Sequence, residues 1–405
     1  MKAVERKNLL PFCLVTVLFL LWGIANNMTD TLLSAFKRIM TMTDTQTSLI
    51  QFAFYGSYFC FALPAALFIR KKSYKSGVIL GLALYAAGAI LFLPAAKAAS
   101  YGFYLVAIYI LAGGCSILET TANPYILSMG SPETATRRLN IAQAFNPLGS
   151  ITGILLSKFF ILKDISLYSV SGTYMTLGLV LVVIMVVMLC VKMPEGRDAG
   201  DQDSLKATFK RLFANRKYIF GVVAQFFYVG AQIGTWSFTI RLAMQELGIV
   251  EAKAATIYLL SIIGFSVSRF VYTWLMKFIK PTVLLIASAI LSALCAAMVV
   301  ITAGSGMTAI VFLMLISVFM SLMFPTIYGI ALDGIEDPGK GGHPGDAKIG
   351  ASGLIMAILG GALLTPLQAM VSDAAGISLS YLIPMVCFIV VLLFAIYSNR
   401  TQLTR

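Results

Sequence analysis

Apolar runs of about 20 residues, the length a helix needs to cross a bilayer, recur along this chain between short polar stretches. The pattern predicts twelve spans, at 9–35, 47–69, 76–94, 102–129, 139–162, 172–191, 218–243, 254–276, 281–302, 307–332, 349–372 and 380–398. Only one interval between spans is long and polar, residues 192–217, and it follows the sixth span. The chain therefore divides into an N-terminal six-helix bundle (1–191), a linker (192–217) and a C-terminal six-helix bundle (218–405). Within the linker, LKATFKRLF (205–213) has helical spacing and is expected to lie along the membrane surface. Pro64, Pro124, Pro147, Pro325 and Pro366 fall inside spans. Membrane helices tolerate them where neighbouring groups satisfy the freed backbone.

The halves read as weak parallel repeats. Gly23 and Gly230 lie in the first and seventh spans, at the same offset that separates the basic loops at Arg70 and Lys277. Pro124 and Pro325, near the ends of the fourth and tenth spans, repeat at close to that offset. Two such repeats joined by a cytoplasmic loop predict an all-α transporter of the major facilitator type, with substrate held between the halves near the midplane.

Composition agrees. Of 405 residues, 59% are hydrophobic and 12% charged, where a soluble domain carries about 25% charged. The net charge of +13 is explained by topology rather than by nucleic acid. With the N-terminus inside, most Lys and Arg collect in cytoplasmic loops, leaving Lys37, Arg38, Lys97, Lys163 and Lys253 outside. Both termini are thus expected in the cytoplasm. Residues 1–8 are basic and lead into the first apolar run without a small-residue cleavage site, which predicts a retained first helix. The six cysteines stand singly in apolar runs and suggest neither a metal site nor a disulfide framework.

Against this background two acids stand out. Asp30 closes LFLLWGIANNMTD in the first span, and Glu119 sits near the middle of the fourth. An ionisable group at membrane depth is costly and marks a functional site by default. Burial there favours the uncharged form of Glu119, which would let it load and release a proton. Trp22, Asn26 and Asp30 recur at i, i+4 and i+8, with Asn27 beside them. A ring, amides and a carboxylate on one stripe suit a sugar, whose faces stack on rings and whose hydroxyls pair with amides. The same residues could instead be a Trp anchor and packing amides. Gln143, Asn146 and Ser150 form a second stripe, and Gln225, Tyr228, Gln232 and Thr235 a third. Such stripes must face protein or a wet cavity, and each residue could also be interhelical glue. Arg269, in the eighth span, either lines the cavity or snorkels to the surface.

Other signals carry no chemistry. GIEDPGKG (334–341) matches a phosphate loop except at its last position, lacks a preceding strand and holds acids that would repel phosphate. His343, the sole histidine, lies in the same loop, so no histidine relay operates within the membrane. Gly77-x-x-x-Gly81 and Gly149-x-x-x-Gly153 are close-packing spacings.

At several of these residues the chain resembles the fucose–galactose–glucose:proton symporter family of the major facilitator superfamily. The resemblance runs over nearly the whole chain. It is clearest in LLWGIANNMTD (20–30), SLIQFAFYGSYF (48–59), KKSYKSG (71–77), LETTANPY (118–125) and RLNIAQAFNPLG (138–149). It continues in FYVGAQIGTWS (227–237), MSLMFPTIY (320–328) and TPLQAMVSDAAG (365–376). It implies a bacterial inner-membrane monosaccharide:proton symporter, driven by the proton gradient without a cofactor and working as a monomer. It also implies that Asp30 and Glu119 are tied to protonation and sugar recognition, with Trp22, Asn26, Asn27, Gln143 and Asn146 at cavity-lining positions. Gln232, Arg269 and Phe324 are further candidates for sugar contact. Thr29 and Phe324 stand where the family's fucose carriers have Asn and Tyr, which leaves glucose, galactose or another hexose open beside fucose. Rival readings are a proton-coupled antiporter of another solute and a non-transporting sugar sensor. No enzyme is expected, because Asp30 and Glu119 lie at different depths on different helices and no clustered His or Cys accompanies them.

Overall fold

The computed structural model describes residues 4, 8–42, 44–161, 166–194, 204–337, 339, 342–343 and 345–403. These residues are helical, with turns between helices and no strand among them. Twelve candidate spans lie among them: Leu9–Thr29, Leu49–Lys71, Tyr74–Lys97, Tyr101–Ser128, Pro132–Ile161, Leu167–Cys190, Arg216–Leu247, Lys253–Leu275, Pro281–Ile301, Met307–Leu332, Asp346–Ala375 and Leu379–Thr401. The protein is therefore an all-helical, multi-pass membrane protein. Of the linker, 195–203 lies outside the described residues, and Leu205–Ala214 is a helix. Side chains such as Val183, Leu179, Leu294 and Ile301 are exposed on the spans, as lipid-facing positions should be.

The chain packs as two compact units. One comprises Met1–Ala135, Phe145–Thr208 and Gly334–Met356, the other Thr136–Ala144, Phe209–Asp333 and Ala357–Arg405. Each unit thus takes one segment from the other half of the sequence. In the first unit Gly77 and Gly81 let the third span approach Thr121 and Leu118 of the fourth. Buried rings fill the space around them, with Phe92 stacked on Tyr174 at 4.0 Å and Tyr74 on Tyr125 at 4.8 Å. The borrowed segment is fixed there by Lys348, whose buried ammonium lies 5.0 Å from the centre of the Tyr74 ring, a cation–π contact.

In the second unit one carboxylate at a helix end ties two loops. Glu246 sits in the last turn of the seventh span, where the helix dipole disfavours a negative charge. Backbone donors offset that: Gly304 N–H reaches both carboxylate oxygens at 3.0 and 2.9 Å, and Gly306 N–H one of them at 3.2 Å. The Ser378 hydroxyl adds a donor at 3.3 Å. Gly304 and Gly306 have φ of 79° and 61°, a left-handed backbone that disfavours other residues. Glu246→Ala is expected to cost about 1–2 kcal/mol, seen as a lower thermal-unfolding midpoint of detergent-purified protein. An unchanged midpoint would mean that these loops are held by other contacts.

Candidate functional site

The first unit brings the two candidate helices of the sequence reading together around Tyr58. Glu119 lies in the helix Tyr101–Ser128 and is 4% exposed. It has no hydrogen bond or ion pair among the described residues. Tyr58 of the second span is within electrostatic reach of it. The Tyr58 hydroxyl accepts the Trp22 indole N–H at 2.7 Å, and its backbone carbonyl accepts the Ser116 hydroxyl at 3.0 Å. Ser116 precedes Glu119 by three residues, so one helical face carries both. The structure thus links Trp22, Tyr58, Ser116 and Glu119 across three spans. A charge buried there without a partner is expensive, and protonation removes the charge.

Trp22 itself is 3% exposed and stacks on Phe19 at 5.4 Å, so both its ring and its N–H are engaged within the first unit. Asn26 and Asn27 are half-buried. Asn27 donates to the Gly23 carbonyl at 3.3 Å, whereas the buried Asn26 side-chain oxygen has no hydrogen-bond donor among the described residues. Asp30 is on the same helix, and its side chain lies outside the described residues.

Asn146 opens the helix Asn146–Leu156, and its amide donates to the Phe19 carbonyl at 3.2 Å. The two helices can approach this closely because Gly23 and Gly149 bring no side chain to the crossing. A Cβ on Gly23 would lie 2.1 Å from the Asn146 carbonyl oxygen, and one on Gly149 1.9 Å from that of Leu20. Gly153 continues the contact against Ile24. The glycine spacing therefore sets where the amide of Asn146 sits on the first span.

The fifth and tenth spans are both broken. Two residues separate the helix Ala135–Gln143 from the one that opens at Asn146, and two separate Met307–Met320 from Met323–Leu332. Arg269 is 3% exposed and does not reach a surface. Its Nε donates to the Ser321 carbonyl at 2.6 Å and its Nη1 to the Gln143 carbonyl at 2.9 Å. The guanidinium lies 4.7 Å from the centre of the Phe265 ring. Tyr228 donates its hydroxyl to the Met320 carbonyl at 3.2 Å. Gln143 is buried, and Phe324 lies between the Tyr228 and Tyr328 rings at centroid distances of 6.3 and 6.5 Å.

The seventh-span stripe is not uniform. Among the described residues Gln225 is fully buried with neither amide atom hydrogen-bonded, and Gln232 is half-buried with no partner for its amide. No cluster of three or more His, Cys, Asp or Glu able to hold a metal occurs among the described residues. Sequence reasoning missed Tyr58. Its neighbourhood, FAFYGSYF, offers two tyrosines three residues apart, and nothing in their spacing separates one from the other. Only the placement of Trp22 and Glu119 around it does so.

The Major Facilitator Superfamily pattern matches residues 12–342. The chain is 41% identical to the L-fucose-proton symporter of Haemophilus influenzae over 98% of each chain. It is 31% identical to a glucose/galactose transporter of Brucella abortus, covering 96% of this chain and 93% of that one. Among solved structures, that of the transporter FucP in its outward conformation superposes with a TM-score of 0.88 at 35% identity, covering 97% of this chain and 99% of that one. The match runs end to end in sequence and in fold, and the chain belongs to the Major Facilitator Superfamily, within the family of L-fucose-proton symporters and glucose/galactose transporters.

Proposed function

We propose that this chain carries a neutral monosaccharide, L-fucose or a hexose of the glucose/galactose type, into a bacterial cytoplasm together with a proton. The observation that supports this most directly is Glu119, a carboxyl 4% exposed at mid-span without a hydrogen bond or ion pair among the described residues. It occurs in a chain 41% identical to a fucose-proton symporter. A structural carboxylate at that depth needs partners. A proton carrier needs the opposite, a site whose charge is tolerated only transiently.

Two six-helix bundles, 1–191 and 218–405, alternate access in the inner membrane, with both termini in the cytoplasm as the distribution of Lys and Arg suggests. Asp30 and Glu119 receive protons and sugar while the site faces outward. Protonation removes charge, the halves rock, and both cargoes leave inside. Asp30 governs access, and Glu119 loads the proton. Trp22, Asn26, Asn27, Gln143 and Asn146 from the N-terminal half, with Gln232, Arg269 and Phe324 from the C-terminal half, make up the sugar site. Amides and hydroxyls there favour a polyhydroxyl solute over the greasy cargo of a drug antiporter. The monomer is the working unit. A membrane potential contributes about 2.3 kcal/mol per charge for each 100 mV, enough for one proton per sugar to concentrate the sugar about fiftyfold.

The test is purified protein in liposomes, given a panel of radiolabelled monosaccharides with and without an inward proton gradient. Accumulation of fucose or a hexose that collapses with an uncoupler is expected. Counterflow of sugar that ignores the gradient would point to a facilitator, and binding without uptake to a sensor. Either result would overturn the symport reading.

A further inference from the structure

We propose that Arg269 is a positioning residue for the sugar site, supplying to two different spans the hydrogen-bond donors that their prolines remove. In an α-helix the carbonyl of residue i accepts from the N–H of residue i+4. Proline has no N–H, and its ring pushes the carbonyl four residues earlier aside. The carbonyl deprived by Pro147 is that of Gln143, and the one deprived by Pro325 is that of Ser321. These are the two carbonyls that Arg269 bonds, at 2.9 and 2.6 Å.

The helices break at the same places. Residues 144–145 form a turn in the fifth span, and 321–322 a turn in the tenth. The carbonyl next to Ser321, that of Met320, is taken by the Tyr228 hydroxyl, so the break in the tenth span is capped from both the seventh and eighth spans. Ser268, beside Arg269, adds a hydroxyl contact to Ser321 at 2.9 Å. Arg269 therefore occupies a built position. Its Nε and Nη1 point at two fixed carbonyls, and Phe265 underlies the guanidinium at 4.7 Å. A buried carbonyl left without a donor is costly, and one side chain here relieves two of them.

This geometry calls for Arg rather than any cation. Two carbonyls on two spans demand two donors in a fixed fork, which a guanidinium has and an ammonium lacks. Two sugar-site candidates hang on those breaks. Gln143 is the residue whose carbonyl is capped, and Phe324 follows Ser321 by three positions. Arg269 thus sets where both side chains sit before any sugar arrives, whether or not a remaining N–H also touches the sugar.

The inference rests on the symport reading, and a double-mutant cycle separates the two. Wild type, Arg269→Gln, Pro147→Ala and the double variant are reconstituted in liposomes, with sugar KM and maximal uptake measured for each. Arg269→Gln orphans both carbonyls and is expected to raise KM at least about tenfold, the loss that a single orphaned buried acceptor predicts. Pro147→Ala returns an N–H to the Gln143 carbonyl alone, so the double variant is expected to regain part of that loss, with the Ser321 carbonyl still uncapped. Losses that simply multiply in the double variant would mean that Arg269 acts independently of the carbonyl freed by Pro147, and would overturn the proposal. Should Arg269→Gln not fold, the cycle is repeated with Arg269→Lys, which keeps the charge and caps one carbonyl only. A Lys variant indistinguishable from wild type would likewise overturn it. If wild type moves no sugar, the symport reading fails. Thermal unfolding of the same four proteins then still decides the arginine–proline link, since Pro147→Ala must offset part of the destabilisation caused by Arg269→Gln.

Discussion

Replacing Glu119 with Gln is expected to abolish sugar accumulation driven by an inward proton gradient while leaving sugar-for-sugar exchange across the liposome membrane intact. Gln has nearly the shape of a protonated Glu and cannot release a proton. The surroundings should accept it, because Glu119 makes no hydrogen bond or ion pair among the described residues that the amide would break. Tyr58, Trp22 and Ser116 bond one another rather than the carboxyl, so the substitution leaves that network whole. The variant is therefore held in the state that has already taken its proton. Exchange requires the loaded carrier to turn over in both directions without discharging, and that half of the cycle survives. Net uphill uptake requires the empty carrier to return after giving up its proton, and that half does not. At 100 mV the lost driving force is about 2.3 kcal/mol per proton, so uptake should fall to simple equilibration. The measurement is uptake and counterflow of one sugar in the same vesicles across a range of external pH. Gradient-driven accumulation that persists, with its pH dependence unchanged, would remove Glu119 from the coupling role.

Much of this architecture was legible in the hydropathy alone, because in a membrane the solvent enforces both length and helicity. The twelve runs correspond to twelve spans among the described residues, with ends shifted by a few residues. The fifth span shows where such reading runs short. It begins at Pro132 rather than near Leu139, because its first turns, ATRRLN, are too polar to read as a span from composition. The structure nonetheless buries Arg138 and Asn140 among protein. Prolines at depth announced breaks in backbone bonding but not their remedy. The sequence left Arg269 between cavity and surface, since a hydropathy window cannot see that a side chain on the eighth span meets orphaned carbonyls on the fifth and tenth. Trp22 shows a similar limit. Its spacing with Asn26 and Asp30 was visible, but its bond to Tyr58 joins residues 36 apart and needs the packing of two helices. Local periodicity reports which face of a helix is polar. Which neighbour that face meets is a tertiary fact.

The repeat suggested by Gly23 and Gly230 has a physical counterpart, and it supports the second large effect. In the first unit the first span crosses the helix Asn146–Leu156 at Gly23, Gly149 and Gly153. In the second unit the seventh span crosses the eleventh at Gly230, Gly360 and Gly361, with the Gly230 α-carbon facing Leu364 and Gly360 facing the Phe226 carbonyl. Both crossings bring backbone against backbone, the small-residue packing that membrane helices use where no hydrophobic force drives them together. Gly149→Ala and Gly360→Ala are each expected to prevent accumulation of folded protein. The added Cβ would lie 1.9 Å from the Leu20 oxygen in one case and 2.0 Å from the Phe226 oxygen in the other. Neither obstacle is a flexible side chain that could swing away, so two helices must separate along their length. Overpacking a close-packed interior costs about 1–3 kcal/mol even where side chains can yield, and here backbone must yield instead. Gly56→Ala and Gly172→Ala are the matched controls, since a Cβ at either position meets nothing within 4 Å and each replaces a poor helix former with a good one. The readout is the monodisperse fraction on size exclusion of a fluorescent fusion, together with its thermal midpoint. Near-wild-type behaviour of both crossing variants would mean that the spans can part without loss, and that the glycine repeat does not fix these crossings.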